Sequence, residues 1–157
     1  FSENSDLFTT LGSLLFQKGL YGQAANHLRK AVQLRSNSSD FLTRLALAEY
    51  KIGETNSFLD HIEKALSHDP NYVNALKVRA DHNLNKADHQ TAAKDYKKIV
   101  KLEPGNTEAL LALAICYYNT GYFDACIKTY EHVLTIDPEN ALAKENISSA
   151  VLSASTA

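Results

Sequence analysis

The chain has 157 residues, 45% of them apolar, and carries 16 basic side chains against 18 acidic ones. That length allows one domain with a sizeable core, and the charges are interspersed, which argues against a nucleic-acid surface with its clustered basic face. No apolar run approaches the roughly 18 residues of a membrane span, and two cysteines, Cys116 and Cys126, suggest no disulfide framework.

The chain starts at Phe1 and contains no methionine, so it is expected to be a fragment of a longer chain or a processed product. Proline sets the register. Pro70, Pro104 and Pro138 stand 34 residues apart, and one further step back reaches Ser36. A single domain over 1–157 then divides without insertion into repeats 5–38, 39–72, 73–106 and 107–140, followed by a helical segment over about 141–153.

The first repeat places Phe8 at position 4, Gly12 at 8, Gly19 at 15, Ala24 at 20 and Ala31 at 27. The second has Leu42, Ala46, Gly53, Phe58 and Ala65 at the same positions. The third has Leu76, Ala80, Ala87, Ala92 and Ile99, and the fourth Leu110, Ala114, Gly121, Cys126 and Val133. This spacing predicts two helices of roughly a dozen residues on either side of a tight turn at position 15. Small residues at 8 and 20 let the two helices approach closely. Proline at 32 cannot continue the second helix. Asn106 and Asn140, two residues on, suit the cap of the next first helix, as does Ser38, while Asn71 would cap slightly out of register. In the final segment Leu142, Ile147, Ala150 and Val151 are expected on one face, with Lys144, Glu145, Ser148 and Ser149 elsewhere, as in an end helix that covers the last pair.

These residues resemble the tetratricopeptide repeat family over about 5–140. The fourth repeat carries the pattern most fully, in Leu110, Leu113, Ala114, Tyr117, Gly121, Phe123, Ala125, Tyr130 and Pro138. The first adds Leu11, Gly12, Gly19, Tyr21 and Ala24. The resemblance implies an all-α fold, a right-handed α-solenoid or superhelix of stacked antiparallel helix pairs whose first helices line a concave groove.

The middle repeats depart from that pattern. Arg79 stands at position 7, and Glu49 and Asn83 at position 11, where the family packs apolar side chains. Glu49 and Arg79 are expected either to pair between neighbouring first helices or to turn to solvent, because unpaired burial is costly. Phe58 replaces a small residue and is expected to spread its helix pair or to turn outward.

No catalytic constellation is expected. None of the six histidines forms an i, i+4 pair. His82 and His89 flank the third turn and read as solvated turn residues rather than zinc ligands. Cys126 reads as a core filler. The chain lacks a G-x-S-x-G elbow, a phosphate-binding glycine loop and an H-E-x-x-H motif. The expectation is therefore a protein that is not an enzyme, with no metal and no cofactor.

By the family's binding mode, positions 2, 5, 9, 12 and 13 of each first helix face the groove. These are Asp6, Thr9, Ser13, Phe16 and Gln17 in the first repeat, and Asp40, Thr43, Leu47, Tyr50 and Lys51 in the second, with Arg44 beside them. The third gives Asn74, Lys77, Asp81, Leu84 and Asn85, and the fourth Glu108, Leu111, Ile115, Tyr118 and Asn119. Such a mixture suits an extended or helical peptide, with apolar anchors in pockets and amides on its backbone. Phe16, Tyr50 and Tyr118 read equally well as packing between repeats. The family's carboxylate clamp, which holds chaperone tails, is not expected: its positions hold Thr9, Ser13, Arg44, Asn74 and Val78 in one window, and Glu108 in the next would repel a carboxylate. The expected partner is a protein or peptide, not nucleic acid or membrane, and the chain is expected to be monomeric. A recruiting segment of a larger enzyme and a self-assembly module are the competing readings.

Overall fold

The computed structural model describes residues 2–157. The described residues form nine helices and no strand. α1 (Ser2–Gln17) and α2 (Tyr21–Leu34) make the first hairpin, α3 (Ser39–Lys51) and α4 (Thr55–His68) the second. α5 (Val73–Asn85) and α6 (His89–Leu102) make the third, α7 (Thr107–Asn119) and α8 (Phe123–Ile136) the fourth, and α9 (Ala141–Thr156) follows. Two compact units divide inside α5, one ending at Val78 and the other beginning at Arg79.

All four hairpins turn on one motif. At the first, the Gly19 N–H donates to the Phe16 carbonyl at 2.9 Å and the Leu20 N–H to the Leu15 carbonyl at 2.9 Å. The same two bonds recur at Gly53 and Glu54, at Ala87 and Asp88, and at Gly121 and Tyr122. They satisfy carbonyls orphaned at the helix end and require the first residue of each pair to be left-handed. Gly19, Gly53 and Gly121 take φ of 78°, 84° and 81° without a Cβ penalty, whereas Ala87 is held at 59°.

The junctions between hairpins are built differently. Pro70, Pro104 and Pro138 each follow the C-cap residue of a second helix, where the ring blocks further helix. Ser38, Asn106 and Asn140 then accept from the N–H of Phe41, Ala109 and Ala143 at 3.3, 3.0 and 3.0 Å, which caps α3, α7 and α9. At the start of α5 the equivalent position is Tyr72, and its phenol bonds elsewhere.

In the unit ending at Val78, α1 and α2 meet at Gly12. A Cβ there would lie 2.6 Å from Leu28 Cγ and 2.9 Å from Leu28 Cδ2, so only hydrogen fits. Ala46 occupies that level in the second hairpin and is fully buried. Phe58 does not turn outward: it is buried, with its ring centroid 5.0 Å from that of Tyr50 and tilted by 50°. Leu7, Leu11 and Leu14 leave a stripe of α1 exposed. Their counterparts on α3, Phe41, Leu45 and Ala48, are buried.

The two misplaced charges each take partners within their own unit. Glu49 is buried, with its Oε2 2.7 Å from His61 Nδ1 on α4 and its Oε1 3.6 Å from Arg29 Nη2 on α2. In the other unit, Arg79 donates from Nε and Nη2 to the two carboxylate oxygens of buried Asp95 on α6, both at 2.8 Å. A fork-to-fork pair of this kind gives planar guanidinium and carboxylate two parallel charge-assisted bonds.

The unit from Arg79 also buries Leu110, Ala114, Cys126, Tyr130 and Val133 with Ala143 and Ala150 of α9, and Ile127, Leu134 and Ile147 pack against them. The seam of α9 is therefore Ala143, Ile147 and Ala150. Leu142 and Val151, expected on the buried face, are 47% and 50% exposed. Each lies one residue outside the seam, about 100° round the helix, and the small alanines bring α9 close to α8.

Ala87→Gly relieves the left-handed alanine at the third turn and is expected to stabilise the protein by about 1 kcal/mol, read as a raised midpoint in urea. Arg79→Ala leaves the Asp95 carboxylate buried without its fork and is expected to cost about 3 kcal/mol. A loss below about 1 kcal/mol would equate this pair with a surface ion pair.

Candidate functional site

The first helices of the unit ending at Val78 enclose a cavity of about 330 Å³ lined by Ser13, Phe16, Gln17, Leu28, Arg44 and Leu47. Five of these were expected to face the groove, and Leu28 reaches the site from α2. Phe16 is held edge-on to Tyr21, with centroids 5.0 Å apart at 65°. Arg44 is fixed from two helices. Its Nε donates to Asp40 Oδ1 and Oδ2 at 2.9 and 3.0 Å one turn back on α3, and its Nη1 donates to Ser13 Oγ at 3.0 Å on α1.

Asp40 also accepts from the Tyr72 hydroxyl at 3.0 Å, and the Asn74 amide donates to that hydroxyl at 3.4 Å. Burial pushes the Tyr72 phenol above its ordinary range, the Asn74 bond opposes the shift and the Asp40 charge adds to it. Four residues on α1, α3 and the α4–α5 junction are thus tied in one polar chain from Ser13 to Tyr72. Such a chain fixes side chains more firmly than isolated contacts do.

Two expected groove residues turn inward. Thr9 and Thr43 are buried, and their hydroxyls donate to the Ser5 and Ser39 carbonyls of their own helices at 2.9 and 2.7 Å. Threonine in a helix can return its hydroxyl to the carbonyl one turn back, and here both do. Gln17, Tyr50, Lys51 and Asn74 are exposed, and Lys77 is half-buried.

In the unit from Arg79, a second cavity of about 240 Å³ is lined by Ile115, Tyr118, Asn119, Asn146 and Ser149. Tyr118 packs edge-on against Phe123 at 5.7 Å and shares a 3.2 Å hydrogen bond with Ser153. The Asn119 amide donates to the Ile115 carbonyl at 2.9 Å. Leu111 packs against the core cluster instead of opening to this cavity. Asp81 accepts the Tyr96 hydroxyl, Leu84 is half-buried, and Asn85 and Glu108 are exposed. Asn146 and Ser149 on α9 were not among the expected site residues.

The groups capable of chemistry are dispersed. His82 is buried rather than solvated, and burial, with Lys86 beside it, holds its pKa below the ordinary value. Among the described residues no three His, Cys, Asp or Glu side chains converge as metal ligands. Cys116 and Cys126 are free and buried, and burial pushes each thiol to about 11. Among the described residues no helix is long and apolar enough to cross a membrane.

Models of the tetratricopeptide repeat match residues 9–73 and 84–145. The chain belongs to the tetratricopeptide repeat family, whose fold is an all-α solenoid of stacked helix pairs and whose members bind protein partners. It is 29% identical over 114 residues to serine/threonine-protein phosphatase T of Trypanosoma brucei brucei, covering 73% of this chain and 24% of that protein. It is 26% identical over 133 residues to peptidyl-prolyl cis-trans isomerase FKBP4 of Rattus norvegicus, covering 75% of this chain and 29% of that one. The chain thus spans less than a third of the length of either relative. A crystal structure of MamA shares the fold with a TM-score of 0.86 over 99% of this chain and 85% of that one, at 21% identity.

With thiols shifted to about 11, the reactive thiolate is scarce at pH 8, and its share rises only as pH approaches 11. Both cysteines are expected to resist a thiol-disulfide reagent in the native protein at pH 8 and to react fully in denaturant. Rapid modification of one thiol in the native state would show it to be accessible.

Proposed function

We propose that the chain is a non-catalytic interaction module that holds a peptide or helix of a partner protein on its first helices. The cavity between α1 and α3 carries this reading. Phe16, Leu28 and Leu47 offer apolar walls to one side chain of the ligand, while Arg44, already oriented by Asp40 and Ser13, meets a carbonyl or carboxylate at the rim. Anchors of this kind, an apolar pocket beside one fixed polar group, dominate peptide recognition. Ile115, Tyr118 and Asn119 supply a smaller pocket of similar composition in the other unit. The remaining expected contacts, Gln17, Tyr50, Lys51, Asn74, Lys77, Asp81, Leu84, Asn85, Glu108 and Leu111, act as flanking contacts or supports. Thr9 and Thr43 act through the backbone of their helices. In this reading the module is monomeric and does not use a carboxylate clamp.

A second reading, a recruiting segment of a larger enzyme, is favoured by the two relatives above, both named as enzymes, of which the match covers 24% and 29%. The full-length coding sequence separates the two by showing whether a catalytic domain adjoins the repeats.

The docking site is tested on a peptide array. Peptides retained by the wild type are expected to lose at least about tenfold in affinity against Leu47→Glu and to be unaffected by Leu34→Glu, an equally bulky change at an exposed site on α2. Retention of every peptide by a folded Leu47→Glu variant would remove the α1–α3 cavity from the interface.

A further inference from the structure

Each unit has a slot where a second helix meets the next hairpin, α2 with α3 in one and α6 with α7 in the other, and the two are filled differently. In the unit ending at Val78, Arg29 of α2 reaches Glu49 of α3 at 3.6 Å and forms an ion pair with Glu54, which follows at the α3–α4 turn. Sixty-eight residues on, two repeat lengths, the same three positions in the other unit hold Lys97 of α6, Tyr117 of α7 and Tyr122 at the α7–α8 turn. The cation is kept and both carboxylates are replaced by phenols. Lys97 Nζ lies 5.3 Å from the Tyr117 ring centroid, and the Tyr117 and Tyr122 rings meet edge-on at 6.4 Å and 74°.

The exchange leaves an open, positively charged cavity. About 310 Å³ is lined by Lys94 and Lys97, one turn apart on α6, with Gln90, Thr120 and the two tyrosines among its walls. Neither lysine forms an ion pair among the described residues. Lys101 continues the same exposed face one turn further along α6. At the corresponding positions on α2 the chain has Asn26, Arg29 and Gln33, so the triple lysine is not a general feature of second helices. Polar tips complete the site: the exposed Tyr122 hydroxyl and the Gln90 amide can donate, whereas the Thr120 hydroxyl already donates to the Cys116 carbonyl at 2.7 Å.

We propose that this cavity binds an acidic peptide segment of a partner, whose carboxylates take the places that Glu49 and Glu54 hold beside Arg29. The slot in the first unit shows the ligand chemistry, since there the charge is met from two sides by two separate carboxylates. A pair of spaced acidic side chains reproduces that arrangement and a single compact dianion does not. The aromatic walls suit the aliphatic stems of glutamates, whose carboxylates then reach the exposed lysine charges. The site lies on α6 and the α7–α8 turn, apart from the first-helix cavities, so each proposal can fail without the other.

The test uses fluorescence anisotropy at low salt with the whole chain and a labelled, end-blocked peptide containing four consecutive glutamates. Binding is expected to weaken as salt rises and to fall about tenfold in Lys94→Gln/Lys97→Gln. Lys30→Gln/Lys64→Gln removes the same charge from α2 and α4 and is expected to stay within about twofold of wild type. Tyr122→Glu restores in cis the carboxylate that Glu54 supplies in the first unit, and it too is expected to displace the peptide. Far-ultraviolet circular dichroism shows each variant folded. The proposal is overturned if the wild type fails to bind, if the two lysine pairs behave alike, or if a glutamine version of the peptide binds as tightly. Inorganic phosphate competing at lower concentration than glutarate would also overturn it, by reassigning the cavity to a phosphate.

Discussion

The closeness of the two helices in each hairpin is the constraint from which the rest follows. It is set where Gly12, Ala46, Ala80 and Ala114 face the second helix, all of them buried and the three alanines completely so. Helices packed at short range need small side chains at the crossing and larger ones beside it. Leu28, Ile62, Tyr96 and Tyr130 supply the larger ones and are among the most completely buried side chains in the molecule. With the crossing fixed, the turn has little freedom, and the same pair of backbone bonds closes all four hairpins.

A backbone so uniform leaves function to the side chains that the crossing does not use. The middle repeats exploit this with charge. Glu49 is buried between Arg29 and His61, and Asp95 is buried against Arg79. Each carboxylate is met by a base on an adjoining helix, as burial requires. Neither arrangement adds chemistry. What they add is identity: hairpins with nearly the same backbone acquire different interiors and different outer faces.

Much of the architecture was legible because it depends on residues whose physical effect is local. Proline at 70, 104 and 138 stops helices whatever the surroundings, and Asn106 and Asn140 cap the next helix through their own side chains. The resting places of longer side chains were less legible. Glu49 and Arg79 looked like partners because successive first helices are neighbours in the family pattern, yet each also sits within reach of the second helices, and those bases and acids engage them. The seam of α9 is set by angle and not by side-chain size: Ala143 lies on the contact line and the larger Leu142 does not. The site residues divide in the same way. Ser13, Phe16, Gln17, Arg44 and Leu47 line one cavity, whereas Thr9 and Thr43 satisfy themselves on their own backbone. The role of Tyr72 had a faint signal, an aromatic residue at a position that is Ser or Asn in the other repeats.

Gly12 carries a consequence for how such a chain can drift over generations. With Leu28 Cγ 2.6 Å from where a methyl would begin, residue 12 and residue 28 share one small volume. A side chain at residue 12 is admissible only alongside a smaller one at residue 28, and glycine is already the least that residue 12 can be. Descendants of this sequence should therefore alter residue 12 together with residue 28 or leave it alone, a linked inheritance written by geometry rather than by any ligand.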